Sequence, residues 1–446
     1  MNIAMIHFRV GATDGVSLEM DKWRHILKRL GHNVSYIAAE SHGTDAYIIP
    51  EMSITSAEHK KLLHNCYEAL TDYAHEDDLL SDIIHLRDII YNKLLSYVIE
   101  KRIDLIIPNN VSSLGLHLPT GLAISRLIQT TSLNVIYHHH DFFFERERYN
   151  HPTASFIQPM LDHDFPYHNE RCQHIVINRL AQQELMTRRG LHAYVIPNVF
   201  DFKRLPWEQD EQSDNLKSFC HIQDGDITLL QATRIEDRKA IELALDVVEE
   251  LYKRKEELID KELYNHQTFK KTSQIHFLMT GLNEMKPSLY EKLSAKMASM
   301  PYQIHIISDL IGSEHQVTDK PYTLWDTYKI ADVITYPSIL EGWGNQLLEG
   351  VFAKKPMVIY EYPVYVSDLK SMGFDFISLG SHYMKNDQGL ITVDSSIIKK
   401  ACDELIETLT SPRKYQKTIE TNFEIAKKHF SYEALETHIK HIISNI

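Results

Sequence analysis

The chain has 446 residues, of which 43% are hydrophobic and 24% are charged, and its formal net charge is -14. This length predicts two or three domains, each large enough for its own core. The acidic balance argues against a nucleic-acid-binding protein, because affinity for a phosphate backbone depends on an excess of lysine and arginine. No segment approaches the run of about 18 apolar residues that a membrane span needs. We therefore expect a cytoplasmic protein without a transmembrane segment, and leave peripheral membrane association and the oligomeric state open.

The first part of the chain alternates strand and helix patterns. Residues 3–8 predict a strand, and after a loop containing Gly11, Asp14 and Gly15 the apolar residues follow the 3.6-residue period of a helix. Further strands are predicted at residues 33–38, 105–107, 135–137, 174–177 and 194–196. Such alternation predicts a parallel sheet covered by helices. The first loop does not match the dinucleotide-binding fingerprint, which disfavours a dehydrogenase.

A second alternating series begins near residue 227. Its strands are predicted at residues 227–230, 275–279, 304–307, 333–336 and 356–360. The polar residues 202–217 predict a linker, and the charged residues 253–273 predict a solvated extension. The fold class is thus α/β, with two Rossmann-like domains at 1–200 and 201–424 and a ligand cleft between them, since such sheets bind ligands at the carboxyl ends of their strands. A C-terminal helix at about 425–446 is expected to pack back onto the first domain.

The four cysteines are far apart in the sequence. They stand at positions 66, 172, 220 and 402 and form no closely spaced pair. Buried thiols in a reducing compartment are therefore expected, and a disulfide framework is not.

The most informative segment runs from Pro337 to Pro356. Glu341 and Glu349 stand eight positions apart, the first in a Gly-Trp-Gly turn and the second in a predicted helix that follows it. A strand, a glycine-bearing turn and a helix N-terminus together offer N–H groups and a positive dipole end to an anion. Two acids beside such an anion site suit a ligand that carries both hydroxyls and phosphates. The pattern predicts a nucleotide-sugar site.

Two basic residues follow the first strand of the second series. Arg234 lies in the loop after that strand, and Lys239 stands near the start of the next helix. A guanidinium fork and a compact ammonium both suit a diphosphate. Alone the pair would indicate only a solvated loop, but together with Glu341 and Glu349 it favours a binding site.

These motifs, with Thr280-Gly281 and Phe430-Ser431-Tyr432, resemble the donor-binding domain of family 4 retaining glycosyltransferases of the GT-B fold. The resemblance implies that Arg234 and Lys239 bind the donor diphosphate, that Glu341 contacts the donor sugar, and that Glu349 binds the ribose. It also implies donor contacts at Gly15, Gly281, Gly342, Gly344 and Asn345. The chain departs from the family pattern at Trp343, where phenylalanine is commoner, at Ala240, where glycine is usual, and at Ser308-Asp309 and Tyr362-Pro363-Val364-Tyr365.

Three consecutive histidines, His138 to His140, follow a predicted strand of the first domain. Successive residues of an extended chain point to opposite faces, so at most His138 and His140 could share an ion, and no further ligand at suitable spacing completes a metal site. We predict no metal. The family resemblance implies that one histidine lies beside the donor sugar, and we assign His140 to this position; a structural role in the core is the alternative.

The resemblance implies a retaining hexosyltransferase that needs no obligatory cofactor. Its donor would be a UDP- or GDP-sugar, and its acceptor a hydroxyl of a small glycoside, a glycan, a protein or a lipid. Acceptor contacts are predicted at Asn110, His138, Arg146 and Arg148, although surface ion pairs would explain the two arginines equally well. Two other functions stay open, a nucleotide-sugar 2-epimerase and a catalytically inactive nucleotide-sugar-binding subunit.

Overall fold

The computed structural model describes residues 1–12, 14–312 and 320–446. The described chain forms two compact units, Met1–Val199 with Tyr432–Ile446 and, separately, Phe200–Ser431. The return to the first unit begins at Tyr432 and not near residue 425. The predicted C-terminal helix is in fact two helices, because Ser431 adopts an extended backbone conformation after Phe430.

The first unit is built on a parallel sheet of seven strands within the described residues, ordered β5-β3-β1-β6-β7-β8-β9. The strands of this unit are β1 (Asn2–Ile6), β2 (Arg9–Val10), β3 (Asn33–Ala38), β4 (Glu40–Ser41), β5 (Tyr47–Ile48), β6 (Leu105–Pro108), β7 (Asn134–His139), β8 (Cys172–Val176) and β9 (Tyr194–Val195). Its helices before the second unit are α1 (Gly15–Arg29), α2 (Ala57–Tyr67), α3 (Glu76–Lys101), α4 (Leu118–Thr130), α5 (Ile157–Asp164) and α6 (Arg179–Arg189).

The apolar pattern explains how these elements pack. β6 is buried along its whole length, as expected for a central strand of a parallel sheet. The buried stripe of α1 includes Met20, Trp23 and Leu27, which recur at helical spacing. Leu435 and Ile439 of the last helix join the same apolar cluster. The helices thus cover the sheet with their apolar faces.

The second unit contains a six-stranded parallel sheet, ordered β12-β11-β10-β15-β16-β17 within the described residues. The strands of this unit are β10 (Ile227–Gln231), β11 (Ile275–Met279), β12 (Gln303–Ile306), β13 (Ile311–Gly312), β14 (Tyr322–Thr323), β15 (Val333–Tyr336), β16 (Met357–Ile359), β17 (Ile377–Ser378), β18 (Met384–Lys385) and β19 (Ile391–Thr392). Its helices are α7 (Glu211–Phe219), α8 (Ile241–Lys253), α9 (Pro287–Ala298), α10 (Leu324–Ile330), α11 (Asn345–Phe352), α12 (Ser395–Leu409) and α13 (Pro412–Phe430), and α14 (Tyr432–Ile443) belongs to the first unit.

Two segments differ from the sequence prediction. Part of the predicted linker is the helix α7, whose first turn is closed by a capping box between Asp210 and Ser213. The charged residues 253–273 are not a solvated extension, because Leu258, Leu263 and Phe269 are buried at 1% exposure or less. These apolar residues follow neither the helical nor the strand period, so their burial depends on tertiary contacts that the sequence pattern does not show.

The cysteines, the helices and the sheet edges agree with the sequence-based predictions. All four cysteines are buried thiols, as predicted, and burial raises the pKa of Cys66 and Cys402 to about 12. Among the helices of the described ranges, none is both long and apolar enough to cross a membrane. In each main sheet the paired strands are parallel, so the residues that follow them lie at one edge. These two carboxyl edges carry the predicted site residues.

Candidate active site

In the second unit, Glu341 lies in the turn between β15 and α11. The turn reaches the helix through Gly344, whose φ of +113° is left-handed and where a Cβ would come within 2.5 Å of the Tyr362 hydroxyl. That hydroxyl donates a hydrogen bond to the carbonyl oxygen of Trp343 at 2.7 Å. Trp343 is buried and packs on Phe430, with ring centroids 5.1 Å apart. The turn is therefore fixed from several sides, and it directs the positive end of the α11 dipole toward the carboxyl edge.

Glu341 is the centre of a largely buried ion cluster. Its Oε1 accepts a hydrogen bond from Lys239 Nζ at 2.5 Å, and its Oε2 accepts one from Arg238 Nη1 at 2.7 Å. Burial raises the pKa of Glu341, but Lys239 and Arg238 outweigh burial and the pKa is lowered. Burial lowers the pKa of Lys239 despite the attraction of Glu341. The structure thus joins two predicted site residues, Lys239 and Glu341, and adds Arg238, which was not predicted.

Arg234 occupies a different position from Lys239. Its guanidinium donates to Glu284 at 2.7 Å, and both side chains are about half exposed. The loop that carries Arg234 packs against Gly281, where a Cβ would meet the carbonyl oxygen of Thr233 at 2.0 Å. A glycine at position 281 is therefore required for the two loops to meet.

The departure at Ala240 has a conformational consequence. Ala240 follows Lys239 directly, has φ of +46° and is fully buried. A left-handed conformation costs a residue with a Cβ roughly 1–2 kcal/mol. The start of α8, next to the ion cluster, therefore holds a strained residue where glycine would be relaxed.

Glu349 lies in the middle of α11. Its Oε2 accepts a hydrogen bond from the hydroxyl of Tyr328 at 2.9 Å. Tyr328 is fully buried in α10, and burial, reinforced by Glu349, raises its pKa well above 10. The hydroxyl stays protonated and orients the carboxylate. Of the other predicted donor contacts, Gly342 lies in the turn before α11 and Asn345 is the first residue of that helix.

The carboxyl edge of the first unit is dominated by neutral imidazoles. Burial lowers the pKa of His7 to about 4 and that of His140 to about 3. His138 Nδ1 lies 3.0 Å from Asn109 Oδ1, and its ring lies 4.3 Å from the ring of His140. Asn110 Oδ1 accepts a hydrogen bond from the backbone N–H of His140 at 3.0 Å. The structure therefore brings His138, His140 and Asn110 together at this edge.

Unused nitrogen atoms are a further property of this histidine pair. The Nε2 atoms of His138 and His140 are buried and have no hydrogen-bond partner among the residues that the structure describes. In the same described ranges, no group of three or more His, Cys, Asp or Glu side chains is arranged to hold a metal ion. A neutral imidazole with a free ring nitrogen is able to bond a hydroxyl group.

The remaining predicted contacts of the first unit have local partners. Asp14 caps α1, where its carboxylate accepts from the N–H groups of Val16 and Ser17, both at 3.1 Å, and Gly15 is the first residue of that helix. Arg146 pairs with Asp141 at 2.6 Å, and Arg148 pairs with Glu68 at 3.0 Å. All four of these charged side chains lie partly or largely in solvent.

Two residues of the candidate site were missed by sequence reasoning, Arg238 and Tyr328. Arg238 is adjacent to Lys239, but the sequence offers no sign that it and not Arg234 contacts Glu341. Tyr328 lies 21 positions before Glu349 and shows only the apolar spacing of a helix.

Two proteins of the same name are similar to the chain over nearly its whole length. No family model matches the chain. A mannosylglucosylglycerate synthase of Thermotoga maritima is 38% identical over 439 residues, which cover 98% of this chain and 98% of that protein. A mannosylglucosylglycerate synthase of Petrotoga mobilis is 37% identical over 417 residues, which cover 93% of this chain and 94% of that protein. Both similarities extend over nearly the whole chain.

Solved structures show the same fold at much lower identity. A glycosyltransferase from Rickettsia africae superimposes with a TM-score of 0.62 at 14% identity and covers 99% of this chain and 97% of its own. HepE from Anabaena, solved in complex with UDP-glucose, superimposes with a TM-score of 0.59 at 13% identity and covers all of both chains. These neighbours identify the two Rossmann-like units as a GT-B fold.

Proposed function

Because the chain belongs to the family of GT-B glycosyltransferases that includes the mannosylglucosylglycerate synthases, we propose that it transfers a mannosyl unit to glucosylglycerate. The donor would be a nucleoside diphosphate mannose, and the product mannosylglucosylglycerate. The names of the two relatives support this product, and their identities of 38% and 37% extend over almost the full chain. The acceptor would then be a small glycoside that bears a carboxylate.

The observation that carries the donor assignment is the contact of Lys239 with Glu341 at the carboxyl edge of the second sheet. In the proposed complex, Lys239 and Arg234 bind the diphosphate, the N-terminus of α11 adds its dipole, and Glu349 binds the ribose. Charge that develops on the leaving diphosphate is stabilised by these groups, whose effect is strongest where water is excluded. Because the cations supply this charge, we further propose that transfer needs no metal ion.

We assign Glu341 to binding and not to nucleophilic attack. A retaining glycosidase uses a carboxylate as nucleophile. Both oxygens of Glu341 accept hydrogen bonds from cations, at 2.5 and 2.7 Å, and such bonds reduce the nucleophilicity of a carboxylate. This supports a role in holding the donor sugar. Retention, and membership of family 4, are parts of the proposal; the acceptor would attack on the face that the diphosphate leaves.

In the first unit we propose that His140 contacts the sugar being transferred. Its pKa of about 3 keeps the ring neutral, and a neutral ring is suited to hydrogen bonds with hydroxyls. His138 and Asn110 would contribute on the acceptor side, as would Arg146 and Arg148 if their exposed ion pairs open.

The test is an assay of the purified protein with glucosylglycerate and, in parallel, GDP-mannose, UDP-mannose, GDP-glucose and UDP-glucose. The proposal expects one mannose donor to give a product heavier than the acceptor by one hexosyl residue, with the same anomeric configuration as the donor by NMR. The reaction should continue after treatment with EDTA.

Controls without acceptor separate the alternatives. A 2-epimerase would convert the donor to its isomer with no acceptor present. A binding subunit would be stabilised by the donor in a thermal shift, since a ligand of the native state raises stability, but would give neither transfer nor hydrolysis. Either result would replace the proposed function, and product formation with glycerate in place of glucosylglycerate would replace the proposed acceptor.

A further inference from the structure

Arg238 belongs to the ion cluster around Glu341, but the proposed transfer reaction assigns it no role. Its Nη1 donates to Glu341 Oε2 at 2.7 Å and to the carbonyl oxygen of Leu340 at 3.0 Å. Its own carbonyl oxygen accepts a hydrogen bond from the N–H of Ile339 at 2.9 Å. Side chain and backbone of Arg238 therefore both hold the turn that carries Glu341.

We propose that Arg238 is a positioning residue that fixes the Glu341 carboxylate and thereby keeps Lys239 available to the donor diphosphate. This inference rests on the proposed donor-binding role of Lys239 and Glu341, and it does not depend on which sugar or acceptor is used.

Lys239 and Arg238 differ in the number of hydrogen-bond donors that they offer to Glu341. An ammonium group has three N–H donors, and a guanidinium has five in a fixed plane. With Arg238 on Oε2, Glu341 uses only Oε1 to accept from Lys239, so one donor of Lys239 is engaged. Without Arg238, both carboxylate oxygens could turn toward the same ammonium. Both oxygens of Glu341 would then bind the Lys239 ammonium, and the diphosphate would have to displace them.

Burial makes this arrangement costly to disturb. Glu341 is 9% exposed and Lys239 is 6% exposed, so water does not readily replace a lost partner. A buried carboxylate oxygen that loses its hydrogen bond costs the protein much more free energy than an exposed one, because water does not replace the missing donor. Arg238 is less buried and is itself held by Glu236, with Nη2 3.1 Å from Oε2. The cation that can be removed with least harm to the fold is thus the one with the proposed positioning role.

The pH dependence distinguishes positioning from a merely structural role. The charged groups that face Glu341 are Lys239 and Arg238, with Glu236 beside them, and the facing hydroxyls are those of Ser338, Tyr336 and Tyr362. The pKa values of both tyrosines lie well above 10, so neither changes charge near neutral pH. Removal of Arg238 should therefore raise the pKa of Glu341. As the pH falls, Glu341 would then become protonated at a higher pH than in the unaltered protein.

The experiment measures donor affinity by calorimetry as a function of pH, using whichever of GDP-mannose and UDP-glucose stabilises the unaltered protein more in a thermal shift. In Arg238→Gln we expect the donor Kd to rise by about tenfold, the size of one lost hydrogen bond to a charged group. We also expect the acidic limb of binding to move to higher pH. Arg238→Lys should return this limb toward its original position and give an intermediate Kd. Arg254→Gln, which removes a guanidinium bound to Glu257 and Asp403, is the matched control and should leave Kd and limb unchanged.

The outcomes separate this inference from the proposed function. If the unaltered protein binds no nucleotide sugar, the proposed function fails. If it binds one and Arg238→Gln binds equally well, or binds more weakly with no movement of the acidic limb, only the positioning role is overturned. If Arg238→Gln does not fold, Arg238→Lys decides, and a Kd equal to that of the unaltered protein contradicts the proposal.

Discussion

The carboxyl edges of the two sheets use opposite chemistry. At the first edge, burial lowers the pKa values of His7 and His140 to about 4 and about 3, so the site presents neutral rings and amide groups. At the second edge, a buried carboxylate accepts hydrogen bonds from two cations within 2.7 Å. Neutral donors and acceptors suit hydroxyl groups, whereas fixed charges suit a diphosphate. Two sheets of the same architecture are thus specialised by the few residues that follow their strands.

The largest expected effect is a difference in acid stability between the units. A histidine whose folded pKa lies below the ordinary 6.5 contributes stability above pH 6.5 and loses it as the pH falls toward its folded pKa. In the first unit this applies to His7, His59, His117, His140 and His174, with folded pKa values of about 3 to 4. The second unit depends on acids such as Glu341, whose lowered pKa preserves stability until the pH falls below about 4.5.

We therefore expect the first unit to lose protection from hydrogen exchange at a higher pH than the second. Exchange followed by mass spectrometry between pH 7 and pH 3 would compare peptides from β7 with peptides from β15. His305 of the second unit has a pKa of about 4 and should also make that unit less stable in acid, but it is one histidine against five in the first unit. If both strands lost protection at the same pH, or if β15 lost it at a higher pH than β7, the expected difference in acid stability between the units would be contradicted.

The next largest effect should be a loss of activity when the buried Lys239 ammonium is removed. Lys239→Ala is expected to lower kcat/KM for transfer by about a hundredfold or more, because the proposed complex would lose a preorganised charge at the leaving diphosphate. Steady-state kinetics with a saturating acceptor would measure it. Lys296→Ala is the matched control, since Lys296 also forms a 2.5 Å ion pair, with Asp246, but on α9 and outside the cluster. Equal losses in the two variants would mean that Lys239 acts only on stability.

The sequence was sufficient for the parts of this site that depend on local pattern. The ranges of β11 and β15 were predicted to the residue, and parallel strands imply that Lys239 and Glu341 follow neighbouring strands at one edge. The choice of Arg238 over Arg234 as the partner of Glu341 was not predictable. It depends on the 3₁₀ turn Asp237–Lys239, which directs adjacent side chains differently and has no periodic signature.

Tertiary contacts explain the other differences from the sequence prediction. Tyr328 reaches Glu349 only because α10 and α11 pack in the folded unit. The segment containing Tyr264 was predicted to be solvated, yet its ring stacks on Tyr415 at 3.6 Å. Contacts between residues this far apart in the chain leave no trace in hydropathy or charge pattern.

A smaller effect is expected at Glu349, the carboxylate that we propose binds the ribose. Tyr328→Phe removes the hydroxyl that donates to Glu349 and should raise the donor KM by about tenfold, the value of a hydrogen bond to a charged group, with little change in kcat. Tyr264→Phe is the matched control, because it removes a hydroxyl that donates to Asp332 at 2.6 Å outside the site. A kcat loss without a KM change in Tyr328→Phe would move Glu349 from ground-state binding to the chemical step.

The smallest effect concerns the strained residue next to the ion cluster. Ala240→Gly should stabilise the second unit by about 1 kcal/mol, because glycine adopts φ of +46° without the cost of a Cβ, and the gain is reduced by the greater freedom of glycine in the unfolded chain. Thermal unfolding of the two proteins would detect it. Ala244→Gly makes the same change inside α8, where Ala244 is buried and helical, and should destabilise by a similar amount. Opposite signs at the cap and inside the helix would show that backbone conformation and not side-chain volume decides the result. A loss at both positions would mean that the methyl group of Ala240 contributes more by packing than its strain costs.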